Sequence, residues 1–188
     1  MRIDHAIWAT SDLDAAAARF EREHGLTATG GGRHEGMGTH NRIVPLGGGY
    51  VELLAIADPD EAAASPMGRF VDAAAEGWMG WAVVVDDVDA VAAQLGTEMT
   101  VIARAGFTAR LTGVVKALAE PTLPFFLARD EGTPDPGEGG AAGGLAWVEV
   151  AGDAERLREW LGAAGLPVRV RPGEPALLAV GAGERELR

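Results

Sequence analysis

Two residues of the N-terminal segment have the chemistry of metal ligands or acid–base catalysts. His5 stands between Ile3 and Ile7 in an apolar run, and strand alternation predicts that these three side chains share one face. Glu52 interrupts the apolar residues 50–54, where an unpaired buried carboxylate would be strongly unfavourable. The sequence therefore predicts that Glu52 has a partner. The partner is either a protein group or a cation that the imidazole and the carboxylate bind together.

A glycine-rich segment, residues 30–41, carries two further imidazoles. His40 is a candidate for proton transfer, because an imidazole can act as acid, base or ligand near neutral pH. His34, Thr39 and Asn41 are candidates for substrate binding. The segment lacks the Lys-Ser/Thr ending of a phosphate-binding loop. The alternative is a hairpin in which these side chains only bond the backbone.

Two larger side chains are candidates for ligand contact. Trp8 can line an apolar pocket, although tryptophans more often fill a core or an interface. Arg104 can hold a substrate carboxylate with two parallel hydrogen bonds, although an arginine on a solvated strand face is the simpler interpretation.

These residues must be positioned by elements that repeat along the chain. An apolar strand near the N-terminus leads through Ser11 and Asp12 into a helical stripe that Gly25 ends, and three strand candidates follow. This βαβββ module covers residues 1–57. The pattern recurs over residues 79–129, and a partial βαββ module covers residues 145–188. The repeat of strands and helices predicts an α+β fold.

Two connectors separate the three modules. Residues 58–78 form a helical linker, in which Ser65 and Pro66 have the types expected at the start of a helix. Residues 130–144 form a loop rich in glycine and proline without periodicity, which is either a lid or a tether.

Composition limits the chemistry that this chain of 188 residues can perform. It contains no cysteine, so disulfides, thiolate nucleophiles and cysteine-ligated metals are excluded. The net charge of -12 disfavours nucleic acid and anionic membranes as partners, so a small molecule is expected. No apolar run reaches the length of a membrane span, and the N-terminus does not resemble a signal peptide, so a cytoplasmic location is expected.

Several of these motifs together resemble the vicinal oxygen chelate superfamily, and within it the glyoxalase-like domain group. The resemblance is carried by residues 3–5 leading into the helix cap at 12–14, by residues 38–41 and 50–53, and by residues 123–126 with 130–132. It covers most of the chain. It implies paired βαβββ modules whose curled mixed sheets surround a cavity, with histidine or glutamate ligands on the first and last strands of each module.

Carried onto this sequence, the resemblance assigns His5 and Glu52 as metal ligands and Glu52 as a catalytic group as well. The second module departs from the pattern. Gly80 is expected at the position that corresponds to His5, and no carboxylate is expected at the position that corresponds to Glu52. The cofactor is therefore either one divalent ion, such as Zn, Ni, Mn, Fe or Mg, or none.

The resemblance implies an isomerase, lyase or epimerase that acts on a small oxygenated metabolite by metal-assisted proton transfer. The alternative is a non-catalytic protein of the same fold that binds or sequesters a small molecule. A structural subunit without ligand is the third possibility. The fold group also implies a homodimer.

Overall fold

The computed structural model describes residues 1–104, 107–162 and 164–188, and these residues form strands and helices in alternation. The strands are β1 (Arg2–Ala9), β2 (Arg33–His34), β3 (Thr39–Pro45), β4 (Tyr50–Ile56), β5 (Gly77–Val84), β6 (Met99–Arg104), β7 (Phe107–Thr112), β8 (Phe125–Arg129), β9 (Leu145–Ala151), β10 (Val168–Arg171), β11 (Ala176–Ala182) and β12 (Arg185–Leu187). The helices are α1 (Leu13–His24), α2 (Pro59–Ala64), α3 (Pro66–Ala73), α4 (Val88–Leu95), α5 (Val114–Ala119) and α6 (Ala154–Leu161).

The first two modules share one eight-stranded sheet with the order β2-β3-β4-β1-β5-β8-β7-β6. In each module the first strand pairs in parallel with the last, β1 with β4 and β5 with β8, and the remaining pairs are antiparallel. The modules meet where β1 and β5 run antiparallel. The predicted α+β class, with mixed sheets in repeated modules, is confirmed.

The same capping residues begin and end the helix of both modules. The side chain of Asp12 accepts the backbone N–H groups of residues 14 and 15 at the start of α1, and Asp87 accepts that of Ala90 at the start of α4. Gly25 and Gly96 end these helices with φ of 63° and 60°, a conformation that favours glycine. The repeat seen in the sequence is therefore a repeat of local structure.

The third module differs from the prediction in two ways. It contains a further strand, β12, so the partial βαββ module is corrected to a complete set of four strands. The sequence does not reveal β12, because it is an edge strand of only three residues, most of which are charged. Its sheet has the order β10-β9-β11-β12, in which β9 pairs in parallel with the strand that directly follows α6. The topology is therefore not that of the first two modules.

The linker between the first two modules is helical, as predicted, and the Ser65 hydroxyl accepts the Gly68 N–H at the start of α3. β5 begins at Gly77, so the linker ends slightly before the predicted boundary. The first of the three strand candidates that follow Gly25, at residues 26–29, is reduced to a single bridge between Thr29 and Ile43. α5 was not expected from the sequence.

The glycine-rich loop 130–144 lies against the first module. The Gly47 N–H donates to the Gly137 carbonyl over 2.9 Å, and the Gly144 N–H donates to the Leu46 carbonyl over 2.8 Å. The side chains of Arg2 and Asp135 form an ion pair at 2.7 Å. The segment 135–144 is thus held against the first module at both of its ends, and its role as a lid or a tether stays a prediction.

The buried apolar side chains form two groups, one on each face of the large sheet. The larger group includes residues of all three modules, among them Ile3, Trp81, Val148 and Val180. The smaller group belongs to the face that carries the cavity described below. Among the described residues, no helix is long and apolar enough to span a membrane.

Candidate functional site

A cavity lies between the two halves of the eight-stranded sheet, and strands of both modules provide its wall. The volume open to the centre of a water-sized sphere is about 50 Å³, which is enough for a few waters or a small ligand. Most of the wall is apolar. The polar groups gather at the end formed by the first module, and they are His5, His34, Asn41, Tyr50 and Glu52, with Arg129 from the second module.

Glu52 stands at the centre of this polar end and has three partners. Its Oε1 accepts a hydrogen bond from the Asn41 amide over 2.6 Å and lies 3.7 Å from His34 Nε2. Its Oε2 lies 3.6 Å from His5 Nε2. The side chain is 11% exposed, so the burial of its carboxylate is compensated by protein groups, as the first of the two sequence interpretations requires.

His5 is held from behind by Asp4, the residue that precedes it and that the sequence analysis did not single out. Asp4 Oδ2 accepts a hydrogen bond from His5 Nδ1 over 2.8 Å. The two terminal nitrogens of Arg129 donate to the two oxygens of Asp4 over 2.9 and 2.7 Å. Tyr50 stacks on the imidazole, with ring centroids 4.6 Å apart. The His5 ring is therefore fixed with Nε2 directed at Glu52.

The ionisation of Asp4 follows from these contacts. Burial would raise the pKa of Asp4, but the hydrogen bonds and charges of His5 and Arg129 outweigh it and hold this pKa well below its ordinary value. Burial likewise raises the pKa of Tyr50, and the charges of Asp4 and Glu52 add to the effect. Asp4 is therefore an anion and Tyr50 a neutral phenol at physiological pH.

A break in strand register explains why Asp4 was missed. Ile3 pairs with Val83 and His5 with Ala82, so β1 contains one extra residue at Asp4. Ile3 consequently joins the larger buried group, whereas His5 and Ile7 face the cavity. The expectation that Ile3 shares a face with His5 is wrong for this reason.

A second group of hydrogen bonds, made by Asn41 and Thr39, positions His34. The Gly32 N–H donates to Asn41 Oδ1 over 2.8 Å, which turns the Asn41 amide nitrogen towards Glu52 and His34. His34 Nδ1 lies 2.9 Å from the Thr39 hydroxyl. Three substrate-binding candidates thus stand together, with His34 and Asn41 in the cavity wall and Thr39 behind them.

Three other candidates are not brought to this site. His40 follows Thr39 on β3, and alternation turns it to the opposite face, into a cleft beside Asp12 and Arg33. Trp8 packs edge-on against Phe20 in the larger buried group. Both predicted placements are therefore corrected. The side chain of Arg104 lies outside the part of the chain that the structure describes.

The residues present do not fit the metal centre that the fold group implies. The pairing of His5 with Tyr50 corresponds to that of Ala82 with Phe125, so Ala82, and not Gly80, occupies the position of His5. Leu127 similarly occupies the position of Glu52. The second module therefore offers no ligand at either position.

The first module alone does not complete a donor set. Glu52 Oε1 and His34 Nε2 both contact the Asn41 amide nitrogen, so His5 Nε2 and Glu52 Oε2 remain as donors. Protein metal sites of this type use three or more protein ligands. Within the described ranges, no cluster of three or more histidine, aspartate or glutamate side chains is arranged to hold a metal ion.

The model of the glyoxalase-like domain family matches residues 3–165. The chain belongs to this family. Its fold is that of the vicinal oxygen chelate superfamily, as the structural neighbours also show. A search of curated proteins found no match to this glyoxalase-like chain.

Solved structures of low sequence identity share the fold. A hypothetical protein from Staphylococcus aureus is 14% identical, with a TM-score of 0.70, and the alignment covers 94% of this chain and 88% of that one. Methylmalonyl-CoA epimerase from Streptomyces coelicolor, in complex with 2-nitronate-propionyl-CoA, is 20% identical, with a TM-score of 0.53 and coverage of 69% and 93%. The epimerase from Mycobacterium tuberculosis is 19% identical, with a TM-score of 0.51 and coverage of 68% and 86%.

Proposed function

We propose that this glyoxalase-like chain is an isomerase or epimerase that moves a proton within a small oxygenated molecule bound in the cavity. The observation that carries the proposal is the pair formed by Glu52 Oε2 and His5 Nε2, 3.6 Å apart at the polar end of an apolar cavity. This spacing allows two adjacent atoms of one ligand, a carbonyl oxygen and the neighbouring C–H group, to contact the two side chains together.

The proposed step uses Glu52 as base and His5 as acid. Glu52 takes the proton from the carbon beside the carbonyl, and the electrons of the C–H bond form a C=C bond. The carbonyl π electrons move to the oxygen, which takes the proton from His5 Nε2. Return of a proton to another carbon or to the other face gives the isomer or epimer. No redox partner is needed.

Asp4 and Arg129 support this step from behind the imidazole. Because Asp4 is an anion that accepts a hydrogen bond from His5 Nδ1, it orients the ring so that Nε2, the proposed proton donor, is directed at Glu52 and the cavity. Arg129 balances the charge of Asp4 with two hydrogen bonds. The step is completed by the chain's own residues, so the metal assistance implied by the family resemblance is not part of this proposal.

The structural neighbours agree with this class of reaction. Epimerases are isomerases, and two of the methylmalonyl-CoA epimerase structures are complexes with 2-nitronate-propionyl-CoA and with methylmalonyl-CoA. At 20% identity the likeness establishes a shared fold, and the reaction class is carried to this chain only as support for the proposal.

The proposal is tested by hydrogen exchange in D2O. The probe is 3-hydroxybutan-2-one, whose carbinol hydrogen stands beside a ketone, and the loss of its ¹H signal measures the exchange rate. Glu52→Gln and His5→Gln are each expected to lower the protein-catalysed rate at least about 100-fold. His24→Gln is the matched control, because His24 lies at the end of α1, outside the cavity lining. Equal rates in the wild type and Glu52→Gln would refute Glu52 as the base.

A second function, binding without catalysis, is favoured by the apolar majority of the cavity wall. Its expected signature is a ligand that changes the NMR signals of His5 and His34 without any exchange of its hydrogens. In that case Glu52→Gln would alter affinity only.

We also propose that the chain forms a homodimer and acts in the cytoplasm. The dimer is supported by the edge strand β6, which exposes the apolar side chains of Met99 and Val101. Light scattering on the purified chain measures the mass, and a monomer at all concentrations would exclude the dimer.

A further inference from the structure

The cavity contains a single arginine or lysine among the side chains that the structure describes, and its charge is already neutralised. Arg129 donates two hydrogen bonds to Asp4, which is fully buried. The side chain of Arg129 is 9% exposed, and its Nε is buried. An anionic ligand therefore gains no free guanidinium from this wall.

His34 adds no positive charge. The bond from the Gly32 N–H fixes the carbonyl side of the Asn41 amide, so the Asn41 nitrogen is the atom that faces His34. His34 Nε2 must then accept a hydrogen bond, which places the ring proton on Nδ1, opposite the Thr39 hydroxyl. A ring with a single proton is neutral.

The remaining pair, His5 and Glu52, offers no cation without an acidic neighbour. His5 Nε2 lies 3.6 Å from Glu52 Oε2, and His5 Nδ1 lies 2.8 Å from Asp4 Oδ2. The imidazole thus stands between two acidic side chains, which oppose a ligand carboxylate, and the net charge of -12 of the whole chain acts in the same direction.

We infer that the cavity takes an uncharged carbonyl compound with a short apolar chain, and discriminates against carboxylates and phosphates. This inference rests on the proposed use of the cavity as the site of proton transfer. The polar end offers hydrogen bonds to one oxygenated group, and the rest of the wall offers apolar contact, through side chains such as Ile7, Leu54, Ile102 and Phe125. The ligand class thus differs from the CoA esters of the structural neighbours.

Three ketones of matched shape test the inference. They are 4-oxopentanoate, its amide 4-oxopentanamide, and 5-methylhexan-2-one, in which an isopropyl group replaces the carboxylate. Binding is followed by the side-chain NMR signals of the four histidines, because His5 and His34 line the cavity, whereas His24 and His40 do not. We expect both uncharged ketones to shift the His5 and His34 signals at concentrations at least about tenfold lower than 4-oxopentanoate requires.

Two adjacent residues of β6 provide matched variants. Ile102 lines the cavity, whereas Val101 is 57% exposed and does not line it. Ile102→Arg and Val101→Arg add the same charge to the chain and differ only in where the charge lies. Ile102→Arg is expected to strengthen 4-oxopentanoate binding about tenfold, and Val101→Arg is expected to leave it unchanged.

The inference is overturned if wild-type protein binds 4-oxopentanoate as well as the amide, if no ketone binds, or if both arginine variants act equally. Its failure is distinguishable from failure of the proposed function, because binding is measured without any reaction. Preference for uncharged ketones without hydrogen exchange would refute only the catalytic step. Exchange together with equal binding of the carboxylate would refute only the ligand class.

Discussion

At the scale of single residues, Asp4 is the group whose removal should have the largest effect on stability. Because the pKa of Asp4 in the folded chain lies below its ordinary value of 3.8, the carboxylate contributes stability that is fully present above this value. This contribution is lost as the pH falls towards the folded pKa. Asp4→Asn leaves Arg129 buried without its counter-ion, so we expect a loss of about 3–5 kcal/mol at pH 7.

The pH dependence provides the decisive measurement. Urea denaturation of wild type and Asp4→Asn between pH 7 and pH 2 should show a constant difference above about pH 4 and a shrinking difference below it. Asp14→Asn, at an exposed ion pair with Arg42, is the control and should show no measurable change. A difference that stays constant down to pH 2 would mean that the pKa of Asp4 is the same in the folded and in the unfolded chain, and would contradict the lowered pKa.

The incomplete donor set leads to a separate prediction about metal. Chelator treatment should leave both the melting temperature and the exchange rate unchanged, because bound metal would otherwise stabilise the folded state by mass action. Elemental analysis before and after treatment gives the occupancy. A melting temperature that falls on chelation and recovers with added Zn²⁺ or Mn²⁺ would show that the two donors suffice.

The sequence predicted part of this site for definite physical reasons. His5 and Glu52 interrupt apolar strands, and a polar group on an apolar strand face must have a partner, so their proximity was predictable. The role of Asp4 was not predictable, because one extra residue on β1 reverses the alternation on which the assignment of faces depends. His40 was placed wrongly because a glycine-rich segment gives no strand register from which to choose a face.

At the scale of elements, local capping signals were the most reliable guide. Asp12 with Gly25, and Asp87 with Gly96, fix helix ends by backbone hydrogen bonds that depend only on nearby residues. β12 and the pairing of β9 with β10 depend on contacts between distant segments, and the composition of three residues does not reveal them. The helix ends of the first two modules were therefore predictable from strong local signals, whereas β12 had no such signal.

The docked loop 130–144 gives a prediction at the same scale. A Cβ on Gly140 would lie 2.1 Å from the Pro45 carbonyl oxygen, whereas a Cβ on Gly165 would meet nothing within 4 Å. Gly140→Ala should therefore force the loop away from the first module and destabilise the chain by about 1–3 kcal/mol. Gly165→Ala should not destabilise it.

Limited proteolysis measures whether the effect lies in the loop. Cleavage within residues 130–144 should be faster in Gly140→Ala than in the wild type and in Gly165→Ala, because displaced backbone loses its hydrogen bonds to residues 46 and 47. Equal cleavage rates in all three proteins would show that the loop is not held by this close approach.

At the scale of the whole molecule, the three modules share one interior. Asp4 on β1 and Arg129 on β8 connect the first module to the second through two partly buried hydrogen bonds. Val148 and Val180 of the third module lie in the same buried group as Ile3 and Trp81. A core that crosses module boundaries in this way favours one cooperative unfolding transition.

Val180→Ala tests this cooperativity. Val180 is fully buried on β11, so its truncation should cost about 1.5–3 kcal/mol, whereas Val115→Ala at a 54% exposed position is the matched control. The His5 NMR signal, which reports the first module, should disappear at the same lowered urea concentration as the far-UV circular dichroism. A His5 signal that survives at urea concentrations where the third module has already unfolded would show that the cavity folds independently of it.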